Sequence, residues 1–345
     1  MISGVSLEQD SDTLERIVAF MNESHPHWNA WRTWLDMHDD EERQEAEGEE
    51  IPPRPSYYAL KLGLTAVAVG HIRKFGPGRK INCARRSVLD LCCAQGNIEL
   101  LEMFLDAGVD IETQSDTGRT PLYTTSRYGR LGLVQLLLHR GARMCMTNRD
   151  GWTPVHVAAE GGHAEVVKLL VEKGADFTLA NNKGVTPVHS AAENGHLEIV
   201  KFLVEQGADI EVAETDGWTP INSAAHNSHL EVKFLAEQGA GINTVTKDGW
   251  TPVHSAAYNG HLKGVKFLAE QGADIMLANK NCYTPLHSAT GQGHLEVVGF
   301  LVEQGADIQT ANNDGWTPCP FCCGEWSPRG NQVPSKTWCQ HQGSR

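Results

Sequence analysis

The chain has 345 residues, of which 40% are hydrophobic and 21% charged, so most of it is expected to fold around a buried core. Its 43 acidic residues outnumber its 29 basic ones, and this balance disfavours nucleic acid as the main partner. Nine cysteines without a framework spacing favour a reducing compartment, and neither a signal peptide nor a membrane-spanning apolar run is apparent. We therefore expect a cytoplasmic, intracellular protein.

Residues 1–53 are expected to form helices followed by an acidic linker. Asp12 and Glu15 fit a helix-capping pattern, and one helical face is marked by Leu14, Ile17, Val18 and Met21. A second helix is predicted over about 27–46. The acidic run 39–50 then leads to a pair of prolines at 52 and 53.

A period of 33 residues organises most of the remaining chain. Thr-Pro pairs recur at this spacing, with one interval of 32, and begin at Thr120, Thr153, Thr186, Thr219, Thr251, Thr284 and Thr317. Within one period, Asp150-Gly151 predicts a turn and Thr153-Pro154 the start of a helix that ends at Gly162. A second helix follows, with its apolar face formed by Val166, Val167, Leu169 and Leu170. One such hairpin cannot bury its apolar face alone, so neighbouring hairpins must stack.

Each period reads approximately DGWTPVHSAAENGHLEVVKFLVEQGADI and closely resembles the ankyrin repeat. The resemblance implies an all-α solenoid of helix–turn–helix repeats with short β-hairpin fingers. Six repeats are predicted over 119–316. The register extends backwards over two degenerate repeats in 54–118, where Cys92 and Cys93 replace the paired alanines as small core residues.

One repeat lacks a residue between Thr219 and Thr251. A deletion inside a helix rotates everything after it by about 100°. The same repeat has Ser228 where other repeats have glycine. We predict that its second helix is distorted or shortened.

The segment 317–345 departs from the repeat pattern. Its Cys319, Cys322, Cys339 and His341 resemble the ligand set of a zinc site. With suitable synonymous codons, however, a shift of the reading frame by one base converts the segment into a further complete repeat. We therefore interpret it as an out-of-frame and disordered tail, with the shift lying either in the gene or in the assembly of its coding sequence. We predict no metal, no cofactor and a last repeat that exposes apolar surface.

A second resemblance concerns the N-terminal segment. The string WNAWRTWLDMHDD, followed by the acidic linker, the proline pair and SYYA, is similar to the junction that precedes the ankyrin array in fungal NACHT–ankyrin proteins. This similarity implies either the sensor arm of such a protein or a stand-alone relative of it. Its NTPase module is not present, because the sequence contains no GxxxxGK[ST] loop.

Histidines recur in two positions of the repeat, which the ankyrin resemblance assigns to hydrogen bonds between repeats. The first position contains His156, His189, His254 and His287; the second contains His163, His196, His229, His261 and His294. Outside these repeated positions the sequence shows no pairing of a nucleophile with a base that is typical of a catalytic site, so we predict that the chain is not an enzyme. The basic stretch 71–86 is interpreted as a solvated loop or as a partner of the acidic linker rather than as a site for nucleic acid or lipid.

Aromatic residues immediately precede five of the seven Thr-Pro threonines, at the finger tips of the ankyrin fold. Exposed tryptophan and tyrosine in this position are typical of binding hot spots. The predicted binding residues are Trp152, Trp218, Trp250, Tyr283 and Trp316 from the fingers, with Arg127, Tyr128, Glu160, Glu193, His226 and Tyr258 from the first helices. The alternative is that the aromatic residues pack on adjacent hairpins and recur only through duplication.

These observations predict a non-catalytic scaffold that binds a protein partner through the concave face of the solenoid. Two alternatives stay open, the sensor arm of a NACHT-type NTPase and an adaptor that recruits substrates to a larger assembly through residues 1–50. We expect a monomer, although the uncapped last repeat could support association.

Overall fold

The computed structural model describes residues 88–227 and 230–318, together with Arg16, Ala19, Ala59 and residues 67–69. The chain divides into two compact units, 1–149 and 150–345. Every regular element in the described ranges is an α-helix, which confirms the predicted fold class. None of these helices is long and apolar enough to cross a lipid bilayer.

Several predicted features lie outside the described residues. They are the helix over 27–46, the acidic linker, the basic stretch 71–86, His229, and the tail with Cys319, Cys322, Cys339 and His341. Arg16 and Ala19, within the first predicted helix, are helical and exposed. In the predicted repeat over 54–86, Ala59 and residues 67–69 are helical and buried.

The first unit contains two described helical hairpins. Their helices are α1 (Val88–Gln95), α2 (Ile98–Asp106), α3 (Pro121–Arg127) and α4 (Leu131–His139). Helix α1 packs on α3, and α2 packs on α4. The paired cysteines of α1 are buried as predicted, together with Leu89, Leu101, Phe104, Leu122 and Leu137.

The second unit stacks five helical hairpins. The inner helices are α5 (Pro154–Glu160), α7 (Pro187–Glu193), α9 (Pro220–Asn227), α11 (Pro252–Tyr258) and α13 (Pro285–Gln292). The outer helices are α6 (Ala164–Glu172), α8 (Leu197–Glu205), α10 (Leu230–Glu237), α12 (Leu262–Glu270) and α14 (Leu295–Glu303). Each inner helix packs on the next inner helix and on the outer helix of its own hairpin. Paired alanines such as Ala158 and Ala159 are fully buried here, because small side chains let the inner helices approach closely.

The fingers between the hairpins are turns rather than strands in the described residues. Most of these turns are closed by two backbone hydrogen bonds, for example from the Glu214 N–H to the Trp218 carbonyl (2.9 Å) and from the Gly217 N–H to the Glu214 carbonyl (2.8 Å). Single bonds also link successive finger tips, as from the Thr215 N–H to the Lys183 carbonyl (2.7 Å). Gly217, at φ +83°, is required in its turn because a Cβ there would lie 2.8 Å from the Lys247 backbone nitrogen.

The outer helix of the short repeat is shortened, as the missing residue predicts. The residues that are rotated out of their usual positions, however, are those at the start of the helix and not those after the deletion. Helix α10 has eight residues, and the outer helices of the intact repeats have nine. Val232 and Leu235 retain buried positions, whereas Leu230 is 58% exposed and Glu231 is 1% exposed. Burial of the apolar residues further along the helix fixes its register, so the residues before them are displaced.

Candidate functional site

The predicted binding residues of the second unit lie on a surface that we call the finger face. It is formed by the finger aromatics and the C-terminal ends of the inner helices, namely Trp152, Trp218, Trp250, Tyr283, Trp316, Glu160, Glu193, His226 and Tyr258. Arg127 and Tyr128 belong to the first unit, where both are exposed at the end of α3.

Four of the five finger aromatics, from Trp152 to Tyr283, pack on the inner helix of their own repeat. The Trp218 ring meets the His226 ring edge-on at 5.8 Å, and the Trp250 ring meets the Tyr258 ring in the same way at 5.6 Å. Trp152, Trp250 and Tyr283 also contact the histidine four residues later. These contacts leave the four finger rings from Trp152 to Tyr283 half-buried, and Trp316 is 40% exposed. Their rings are therefore held in place with part of each surface open to solvent.

Buried histidines connect each inner helix to the next finger. The His189 Nδ1 accepts a hydrogen bond from the Thr186 N–H (3.3 Å), and its Nε2 donates to the Trp218 carbonyl (3.1 Å). The corresponding Nε2 atoms of His156, His254 and His287 donate to the carbonyls of Val185, Tyr283 and Trp316. The histidines thus position the finger backbone, as the ankyrin resemblance implied.

Burial keeps these histidines neutral. Desolvation lowers the pKa values of His156, His189 and His254 to about 4, although hydrogen bonds to backbone carbonyls oppose the shift. Desolvation also lowers the pKa of His287. A neutral ring can donate through one nitrogen and accept through the other, which is what this connection requires.

A second set of histidines fixes the ends of the inner helices. His196, His261 and His294 donate through Nε2 to the backbone carbonyls of Glu160, His226 and Tyr258, at distances of 2.8–3.0 Å. The carbonyl of Glu193 instead accepts from the side-chain amide of Asn227. The backbone of all four predicted helix-end residues is therefore tied to the neighbouring repeat.

Asn222 replaces the buried histidine in the short repeat and is not among the residues predicted above. Its Oδ1 accepts from the Thr219 hydroxyl (2.6 Å) and from the Thr244 hydroxyl (3.1 Å). Its Nδ2 is buried without a hydrogen-bond partner in the described part of the chain, so it does not reach the Trp250 carbonyl. The sequence signal was an asparagine at the position that holds histidine in the flanking repeats.

Carboxylates surround the Trp218 finger. Burial raises the pKa of Glu214, and the negative charges of Glu193 and Asp216 raise it further, whereas Lys183 opposes the shift. These four side chains are therefore close enough to interact electrostatically. The finger face carries a local excess of negative charge at this point.

No group of three or more His, Cys, Asp or Glu side chains among the described residues is arranged to hold a metal ion. Burial raises the pKa of the Cys92 thiol to about 12 and that of Cys93 well above its ordinary value, which makes both thiols poor nucleophiles.

Comparisons with known proteins agree with this architecture. A family model described as ankyrin repeats (3 copies) matches residues 64–148, 89–181, 132–214 and 209–279. A second, described as ankyrin repeats (many copies), matches residues 260–302. A comparison with curated proteins finds no match to the chain.

Proposed function

Because the chain belongs to the ankyrin-repeat family, we propose that it binds a protein partner through the finger face and does not transform that partner chemically. Ankyrin repeats generally mediate interactions between proteins. The finger face and its residues are our assignment within that general role.

The observation that carries this proposal is the row of half-buried aromatic rings fixed by edge contacts. The Trp218 and Trp250 rings are held against His226 and Tyr258, and the finger backbone is tied by hydrogen bonds. A ring that is already ordered loses little conformational freedom when a partner covers it. Large, preorganised aromatic surface is what binding hot spots use.

Substitution of two of these rings tests the proposal. The variant Trp218→Ala/Trp250→Ala should lose a partner that the full-length chain captures and then binds as a purified protein. We expect affinity to fall by at least about 2 kcal/mol, the typical cost of truncating a hot spot. Binding would be measured by calorimetry, with circular dichroism and urea unfolding as tests of folding.

A matched control removes exposed apolar side chains elsewhere. Ile98 and Leu230 lie at the starts of outer helices and are 47% and 58% exposed. The variant Ile98→Ala/Leu230→Ala should bind like the parent chain. Equal affinities for all three proteins would show that the rings serve packing alone.

Two narrower roles extend this proposal. The sensor arm of a NACHT-type NTPase and an adaptor acting through residues 1–50 both depend on segments outside the described residues. Deletion of residues 1–50 separates the adaptor role from the finger face. An adaptor would lose its larger assembly while it still bound the finger-face partner.

A further inference from the structure

The finger that contains Trp218 is the most acidic finger of the second unit. Glu214 and Asp216 both belong to it, and it contains no basic residue. The next finger, with Trp250, contains one lysine and one aspartate, and the finger with Tyr283 contains one lysine. Negative charge is therefore concentrated at one position along the row of fingers.

Glu193 adds a third carboxylate on the same side. It ends α7, and its carbonyl accepts from the Asn227 amide at the end of α9. His226, which packs on the Trp218 ring, directly precedes Asn227. The exposed Glu193 side chain is thus placed at the end of the helix that neighbours the ring contact.

Within the described residues, none of Glu193, Glu214 and Asp216 has a basic nitrogen within 4.0 Å, and the nearby charge of Lys183 acts on Glu214 from beyond that distance. By contrast, Glu198 on the outer face is paired with Lys168 at 2.6 Å. Burial is the main cause of the raised pKa of Glu214, and the charges of Glu193 and Asp216 raise it further against the opposing charge of Lys183. An incoming cation would relieve the repulsion between the carboxylates.

The adjacent aromatic rings favour the same ligand. The faces of tryptophan and tyrosine rings carry negative potential and attract lysine ammonium and arginine guanidinium groups. The Trp218 and Trp250 rings meet His226 and Tyr258 at steep interplanar angles of 80° and 72°, and Tyr258 is 39% exposed. Aromatic surface and unpaired carboxylates thus lie next to one another on this part of the finger face.

We propose that the part of the finger face around Trp218 and Trp250 binds a lysine- or arginine-rich segment of the partner protein. This inference rests on the proposed function and specifies the chemistry of the partner. The cationic side chains contact the two rings, and Glu193, Glu214 and Asp216 supply the opposite charge. Complementary charge of this kind selects partners and accelerates their association.

Labelled peptides test this inference with the full-length chain. The probes are a short fluorescent peptide of alternating lysine and serine, its counterpart with glutamate, and its counterpart with acetylated lysine. Fluorescence anisotropy should detect binding of the lysine peptide alone. Its affinity should fall as salt is raised from about 0.1 M to about 1 M, where the Debye length shortens from about 10 Å to about 3 Å. Absent binding of the lysine peptide, or binding of the glutamate peptide, would overturn the inference.

Charge-neutral variants locate the site. Glu193→Gln/Glu214→Gln/Asp216→Asn should weaken binding of the lysine peptide by about tenfold or more, since it removes the facing charges. The matched control Glu172→Gln/Glu205→Gln/Glu270→Gln removes three charges from exposed positions at the ends of outer helices. It should change affinity by less than about twofold, as remote surface charges are screened. Equal weakening in both variants would show attraction to the net charge alone and would refute this site.

The ring variant separates this inference from the proposed function. The substitutions Trp218→Ala/Trp250→Ala should weaken binding of both the captured partner and the lysine peptide. If that variant loses the partner while no peptide binds the parent chain, the finger face functions but its ligand is not basic. If the lysine peptide binds equally to both proteins, the rings do not contact it.

Discussion

The repeats that begin at Thr186 and Thr219 are neighbours in one unit, and the second is one residue shorter. Both outer helices bury three residues at the same spacing. In α8 these are Ile199, Val200 and Leu203; in α10 they are Glu231, Val232 and Leu235. A carboxylate thus occupies a position that isoleucine occupies next door. The comparison teaches that two apolar residues suffice to set the register of an outer helix, even when the third position becomes polar.

The two repeats also differ where the inner helix meets the next finger. His189 spans from the Thr186 backbone to the Trp218 carbonyl. The Asn222 side chain is shorter, and its Oδ1 accepts hydrogen bonds from the Thr219 and Thr244 hydroxyls. Its Nδ2 has no partner in the described residues. The intact repeat is therefore connected to its successor by a hydrogen bond that the short repeat lacks, and the Trp250 finger depends more on packing.

Lowering the pH should have the largest effect, because it destabilises the repeats that contain a buried histidine and spares the short repeat, which contains Asn222. Three buried histidines have pKa values of about 4, against about 6.5 in an unfolded chain. Between these values the unfolded chain binds more protons, so their contribution is complete above pH 6.5 and is lost as the pH falls towards 4. At pH 5 the contribution of each histidine to the free energy of unfolding should be about 2 kcal/mol smaller than at neutral pH.

Urea unfolding measured at pH 7.5 and at pH 5 tests this prediction, and hydrogen exchange locates it. Protection in α7 should fall with pH more than protection in α9, because α9 carries Asn222 in place of histidine. Stability that is unchanged between the two pH values would contradict the assignment of the histidines as buried and neutral.

Restoring the missing residue should have the next largest effect. A valine inserted between Glu231 and Val232 would occupy the buried position and return Glu231 to the exposed position that Glu198 holds in α8. We expect the free energy of unfolding to rise by about 2–3 kcal/mol, mainly from burial of the valine side chain. Urea unfolding measures the gain.

The matched control is a valine inserted between Glu198 and Ile199 of the intact repeat. This insertion lengthens a helix whose register is already satisfied, so it should lower stability. If both insertions are destabilising, the short helix is better adapted to its neighbours than the comparison implies.

Much of the architecture followed from the spacing of a few residue types. The Thr-Pro pairs predicted the starts of the inner helices, and the paired alanines and cysteines predicted their buried faces. The sequence also placed the finger aromatics before five of the seven threonines. It could not predict that their rings would lie against the inner helix of their own repeat, because that depends on three-dimensional packing.

The short repeat marks the limit of such prediction. A missing residue indicates a disturbed helix, but the direction of the rotation depends on which residues gain more by burial. Here Val232 and Leu235 stay buried at the expense of Leu230 and Glu231, a balance between distant contacts that the local pattern does not contain. The folded chain likewise brings Glu193, which is distant in sequence, close enough to Glu214 for their charges to interact. The sequence alone does not predict this proximity.

The smallest expected effect concerns the missing connection itself. Asn222→His should allow the new ring to donate to the Trp250 carbonyl, as His189 donates to that of Trp218. At pH 7.5 this should raise the free energy of unfolding by about 1 kcal/mol, the usual net value of a hydrogen bond. The reciprocal His189→Asn should lower it by about 1–2 kcal/mol, since it leaves a buried polar group unpaired. Because an added buried histidine also adds a proton-binding site to the unfolded chain, the gain from Asn222→His should vanish before the pH falls to 5, where a buried histidine of this kind has lost about 2 kcal/mol. A gain that is the same at pH 7.5 and at pH 5 would show that the new side chain only fills space. The hydrogen bond from the histidine to the finger would then not be what distinguishes the intact repeat from the short one.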